Sequence, residues 1–110
     1  MLKTLSLRPY PGQVTTCSTQ AEYQKHYKKL HGKIDDGLNS SSSGRMSGRI
    51  FEGKSPTYLI WAATPCYLAH ELSHVILDVF DRVGIDPRQA NGEPFCYLLS
   101  QLLLDDSNGT

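Results

Sequence analysis

Residues 66–83 contain neither glycine nor proline, and the residues on either side turn that absence into a boundary. Thr64-Pro65 supplies an N-cap and a proline for the first helical position, where a missing N–H costs nothing. Gly84 supplies the stop, because a helix ends readily at a residue that tolerates the left-handed conformation. A helix over 66–83 is therefore the firmest structural expectation. Leu68, Leu72, Val75, Ile76, Val79, Phe80 and Val83 recur at helical spacing and form a broad apolar surface, which predicts a largely buried helix.

Inside that helix lies His70-Glu71-Leu72-Ser73-His74. Two imidazoles four residues apart project from one helix face and can grip a single divalent ion. Glu71 points about 100° further round the helix, where it can reach a metal-bound water without being a ligand, and it is the candidate general base. Buried histidines one turn apart satisfy each other poorly by hydrogen bonding and satisfy Zn2+ well.

A zinc hydrolase uses a third protein ligand and one open position. Glu93 is the preferred supplier. It follows the loop 84–92 and opens a second apolar helix expected over 95–104, with Pro94 in its first turn. An antiparallel pair of helices brings Glu93 over the motif if the loop folds across. Asp78, Asp81 and Asp86 are competing carboxylates. Cys66, one turn before His70, and Cys96, three residues after Glu93, are alternative ligands or small apolar packing residues.

The rest of the chain reads as scaffold. Residues 2–7 alternate like a strand and end at Pro9-Tyr10-Pro11-Gly12; a helix over 21–30 is capped by Ser18 or Thr19 and stopped by Gly32. Residues 37–48 are flexible by composition, with four consecutive serines, and read either as a lid or docking segment or as an inert insertion. Short strands at 49–52 and 57–61 flank a hairpin-like connection, and 105–110 reads as a frayed tail. The expectation is one α+β domain over 1–110 in the order β-α-β-β-α-α. Its bound peptide would lie along an edge strand, either 58–61 or the partner around Ile50 and Phe51.

Eleven basic and eleven acidic residues cancel, so the chain as a whole has no attraction for nucleic acid. Lys25, His26, Lys28, Lys29 and His31 form a local basic group that reads as a solvated helix face. No apolar run approaches the roughly 20 residues of a membrane span. The charged N-terminal segment is unlike a signal peptide, and the odd trio Cys17, Cys66 and Cys96 suits a reducing compartment. The expected location is the cytoplasm.

The motif, followed by Asn91-Gly92-Glu93, resembles the gluzincin branch of the zinc metallopeptidases, which includes thermolysin; its small size is nearest to the minigluzincins. Glu93-Pro94-Phe95-Cys96-Tyr97-Leu98-Leu99 is similar to short zincin-like proteins of phages and prophages, and more distantly to phage-associated peptidases that cleave repressors. The resemblance covers residues 64–104. It implies a compact zincin-like fold, His70, His74 and Glu93 as zinc ligands, Glu71 as base, and a peptide or protein substrate. The same likeness also admits a zinc-bound, non-catalytic module acting on a host protein in the host cytoplasm. One departure stands out: thermolysin-like enzymes place an aspartate four residues after the glutamate ligand, and here Tyr97 occupies that position. Tyr97, Tyr58, Tyr67 and His26 are the side chains of the right type to stabilise an oxyanion, with Tyr97 preferred for its place one turn from Glu93.

Overall fold

The computed structural model describes residues 2–49 and 54–108, and these form a mixed sheet flanked by helices on both faces. Strand β1 (Lys3–Ser6) and strand β2 (Gln13–Cys17) are antiparallel, with Leu5 opposite Val14. The turn between them is closed by Tyr10 N–H donating to the Leu7 carbonyl at 2.9 Å and Leu7 N–H to the Gly12 carbonyl at 3.3 Å. Helix α1 (Gln20–His31) leads through a loop to strand β3 (Gly44–Arg49), and strand β4 (Thr57–Ala62) feeds helix α2 (Pro65–Val83). A short turn over Gln89–Gly92 precedes helix α3 (Glu93–Ser107). The sheet order is β1-β2-β4-β3, with β2 and β4 parallel and β3 antiparallel to β4 at the edge.

Side chains alternate across this sheet as the two-residue period requires. Val14, Tyr58 and Ile60 point to one face and join Leu72, Val75, Ile76, Val79 and Phe80 of α2 with Leu98 and Leu102 of α3. Cys17, Leu59 and Trp61 point to the other, against Tyr23, Tyr27 and Leu30 of α1. Phe80 anchors the larger core: it is fully buried, with the Tyr10 ring edge-on at 5.4 Å and the Phe95 ring at 6.3 Å. Phe80→Ala is expected to cost about 3–5 kcal/mol in denaturant unfolding, through lost contacts and an unfilled cavity.

Several boundaries follow the local signals. Thr64 caps α2 by accepting from the Tyr67 N–H, Pro65 takes the first position, and Gly84 ends the helix at φ 80°. The N–H groups of Gly84 and Ile85 both converge on the Phe80 carbonyl, and Ile85 packs against the core. Thr19 caps α1 and Gly32 ends it, also at φ 80°. Among the described residues no helix is long and apolar enough to cross a membrane. Lys25, Lys28 and Lys29 are exposed on α1.

The observed order is β-β-α-β-β-α-α, so the expected β-α-β-β-α-α lacked one strand. The missing strand is β2, whose run Val14-Thr15-Thr16 is β-branched but whose partners Tyr58, Leu59 and Ile60 lie more than forty residues away. The segment 37–48 is not loop throughout: Gly44–Arg49 is β3, paired along its length with β4 and covered on one side through Met46. Its glycines and arginines read as loop because an edge strand is polar outward. Residues 50–52 of the strand expected over 49–52, including Ile50 and Phe51, lie outside the described residues.

The serines ahead of β3 are knitted locally. Asn39 accepts from Ser41 N–H at 2.9 Å and Ser41 Oγ at 2.6 Å, and Gln20 Nε2 donates to the Asn39 carbonyl at 2.8 Å. The tail is helical to Ser107, with Asp106 accepting from Thr16 Oγ1 at 3.1 Å and its carbonyl from Lys3 Nζ at 2.6 Å.

A buried carboxylate holds the loop between α1 and β3. Asp35, 4% exposed, accepts from Arg45 Nε at 2.7 Å, Arg45 Nη2 at 3.1 Å and Gly37 N–H at 3.1 Å. Gln24 pairs with both backbone groups of Asp35 at 2.8 Å. Burial pushes this carboxyl up, but the Arg45 bonds, the Gly37 N–H and the Arg45 charge together hold it below the usual carboxylate range. A depressed folded-state pKa contributes stability that is present above the unfolded value of about 3.9 and lost as pH falls through the folded one. Asp35→Ala is thus expected to cost about 2–3 kcal/mol at pH 7. The gap from wild type should shrink in denaturant melts below pH 4.

Candidate metal centre

Helix α2 lies along β4 and β3 with its Leu72, Val75, Ile76 and Val79 stripe inward, which turns residues 66, 70, 74 and 77 outward. The two histidines are therefore exposed, with the His70 side chain at 61%, although a buried helix face was expected for them. Only their spacing decides that they meet: His70 Nε2 and His74 Nε2 stand 3.2 Å apart, with the rings edge-on at 82°. Two nitrogens bound to one tetrahedral zinc at 2.0–2.1 Å are separated by about 3.3–3.4 Å. The pair thus already has the spacing of two adjacent zinc ligands.

Glu71 behaves oppositely. It is 7% exposed and turned toward the edge strand, with its Oε2 3.9 Å from His70 Nε2. Among the described residues its carboxylate receives no hydrogen bond. A carboxylate with only a little access to water and no protein donor is open to a cation beside it. On the far side it abuts Gly44, the first residue of β3. Just before Gly44 the β3–β4 ladder continues by one more bond, Ala63 N–H donating to the Ser43 carbonyl at 2.8 Å.

The other expected participants lie elsewhere. Helix α3 runs antiparallel to α2: Phe95 near its start meets Phe80, and Asp106 near its end lines a cavity with Pro65 and Leu68. Glu93 is exposed and opens α3 two residues before Phe95, whose ring meets Phe80, a residue about 9 Å along the axis beyond His74. The turn that sets this course carries Ala90 and Asn91 at φ 52° and 58°, followed by Gly92 at 79°. Among the described residues no three His, Cys, Asp or Glu side chains are gathered to hold one ion. The structure brings together His70, His74 and Glu71, and does not bring Glu93 to them.

Tyr97 is 72% exposed and lines a surface groove with Arg8, Pro9 and Tyr10 at the same distant end. The Tyr58 hydroxyl is committed to Asp78, which also accepts from Arg82 Nε at 2.7 Å. His26 is on α1, across the sheet. Tyr67, exposed and three residues before His70 on α2, is the phenol placed next to the pair along the helix. Cys66 and Cys96 are exposed, and Asp86 is paired with Arg88. Cys17 is buried, and burial, with Glu22 nearby, pushes its thiol up to about 12, so it stays protonated. The residue that sequence reasoning passed over is Gly44, whose importance lies in a contact with a helix 27 positions on.

Comparison of this chain with protein-family models, with curated proteins and with solved structures returns no match.

Proposed function

We propose that this chain is a zinc-dependent hydrolase of peptide bonds, with His70 and His74 as metal ligands and Glu71 as general base. The observation that carries the reading is the 3.2 Å approach of the two Nε2 atoms beside a buried, hydrogen-bond-free carboxylate. Zinc held by this pair supplies an acidified water and a polarised carbonyl. Glu71 takes the proton from the attacking water and returns it to the leaving amine. Its seat between α2 and β3 keeps it close to His70. The edge strand β3, whose outer side has no strand partner among the described residues, offers backbone groups for an extended peptide, in the manner of β-augmentation. Of the two edge candidates named from the sequence, 58–61 lies inside β4 between two neighbours, and the partner around Ile50 and Phe51 lies outside the described residues. The zincin-like assignment rests on this same arrangement of edge strand, adjoining strand and motif helix.

A second reading is a zinc-bound, non-catalytic module that docks on a host protein. It is favoured by one observation: Glu93 and Tyr97 stand away from the pair, leaving the donor set at two histidines. One experiment separates the readings. Protein purified without added zinc should carry one zinc per chain by elemental analysis and cleave an unstructured peptide library in a chelator-sensitive way. Stoichiometric zinc without cleavage favours the docking module, and no zinc after reconstitution refutes both.

A further inference from the structure

We infer that Gly44 is a positioning residue: its missing side chain is the seat of the Glu71 carboxylate, and any larger residue there would drive the base off its station. The inference rests on the hydrolase reading for its catalytic meaning, though not for its geometry. A Cβ added at residue 44 would stand 2.9 Å from Glu71 Oε2, 3.1 Å from Cγ and 3.2 Å from Cδ, so it would meet the whole end of the side chain. The backbone does not require glycine at this position. Among the described residues the glycines with positive φ are Gly12, Gly32, Gly84 and Gly92, and Gly44 is not one of them. It sits in regular antiparallel pairing opposite Ala62, where any residue is sterically allowed.

Neither side can retreat freely. The Ser43 carbonyl accepts from Ala63 N–H and residue 44 is paired with Ala62, so the start of the strand is held in place by the β3–β4 ladder. Glu71 is enclosed, and Leu72 beside it is fully buried. The contact therefore fixes where the carboxylate lies relative to His70, 3.9 Å away.

The test is a double-mutant cycle on the full chain. The backbone contribution of Gly44→Ala, apart from any contact, favours the folded state slightly, since glycine loses more conformational freedom on folding. With Glu71 present the substitution should instead lower the thermal midpoint by on the order of 5–10 °C, and in the Glu71→Ala background this loss should vanish. An equal loss in both backgrounds, or none in either, overturns the inference. In peptide hydrolysis, Gly44→Ala should lower kcat about as far as Glu71→Gln does, roughly 100-fold, with KM unchanged. The double variant Gly44→Ala with Glu71→Gln should be no slower than Glu71→Gln alone, whereas multiplied losses would show that residue 44 acts elsewhere. Zn2+ affinity, read by competition with a chromophoric chelator, should stay within about threefold of wild type. A wild-type chain with no turnover refutes the hydrolase reading, and the unfolding cycle then decides the Gly44–Glu71 contact.

Discussion

Replacing His74 with alanine is expected to weaken Zn2+ binding by at least about 100-fold, because one of two imidazole donors is removed and a single exposed histidine holds zinc poorly. The expectation follows from the 3.2 Å separation of the Nε2 atoms, which prepares both donors without rearrangement. His70→Ala should do the same. Both side chains are outward, so apo-protein stability should barely change, and the loss should appear as a smaller zinc-induced rise in thermal midpoint. Glu93→Ala provides the contrast. With its residue at the Phe80 end of α2, it should leave affinity within about threefold of wild type. Chelator competition on the three variants checks this, and a Glu93→Ala loss matching that of His74→Ala would show that the metal-loaded chain draws the start of α3 across the motif.

Glu71→Gln is the second large effect. Glutamine keeps the shape of the side chain and its place beside Gly44, and can still hydrogen-bond a water, but it cannot accept a proton. Zinc content should therefore remain at the wild-type level while peptide hydrolysis falls by about 100-fold or more. The thermal midpoint should barely move, since the side chain is replaced by one of equal size at a position where it receives no hydrogen bond. Loss of metal in this variant would make Glu71 a ligand. Undiminished turnover would place the reaction outside this site.

Much of α2 was legible from the chain. Its cap at Thr64, its first residue Pro65 and its end at Gly84 depend on interactions within a few residues, and the structure has all three. The meeting of His70 and His74 is equally local, since a spacing of four on a helix puts two side chains on one face whatever surrounds them. Which face that would be was not legible. The apolar stripe suggested a buried helix, but a helix lying on a sheet buries only one side, and the histidines lie on the other.

What β3 and β2 do could not be read locally. The polar run Gly44–Arg49 becomes a strand only because β4 offers it partners, and β2 is placed beside β4 by a parallel pairing that spans α1 and β3. The position of Glu93 was equally out of reach, because it depends on how the left-handed residues Ala90, Asn91 and Gly92 turn α3 back along α2. The sequence alone therefore determined a helix and a pair of histidines on it, since hydrogen bonds and side-chain spacing within one helix are set by neighbours in the chain. Only the tertiary structure decided that the glutamate between them is buried against a glycine of the edge strand, because that contact exists only once sheet pairing has closed the long intervening loop.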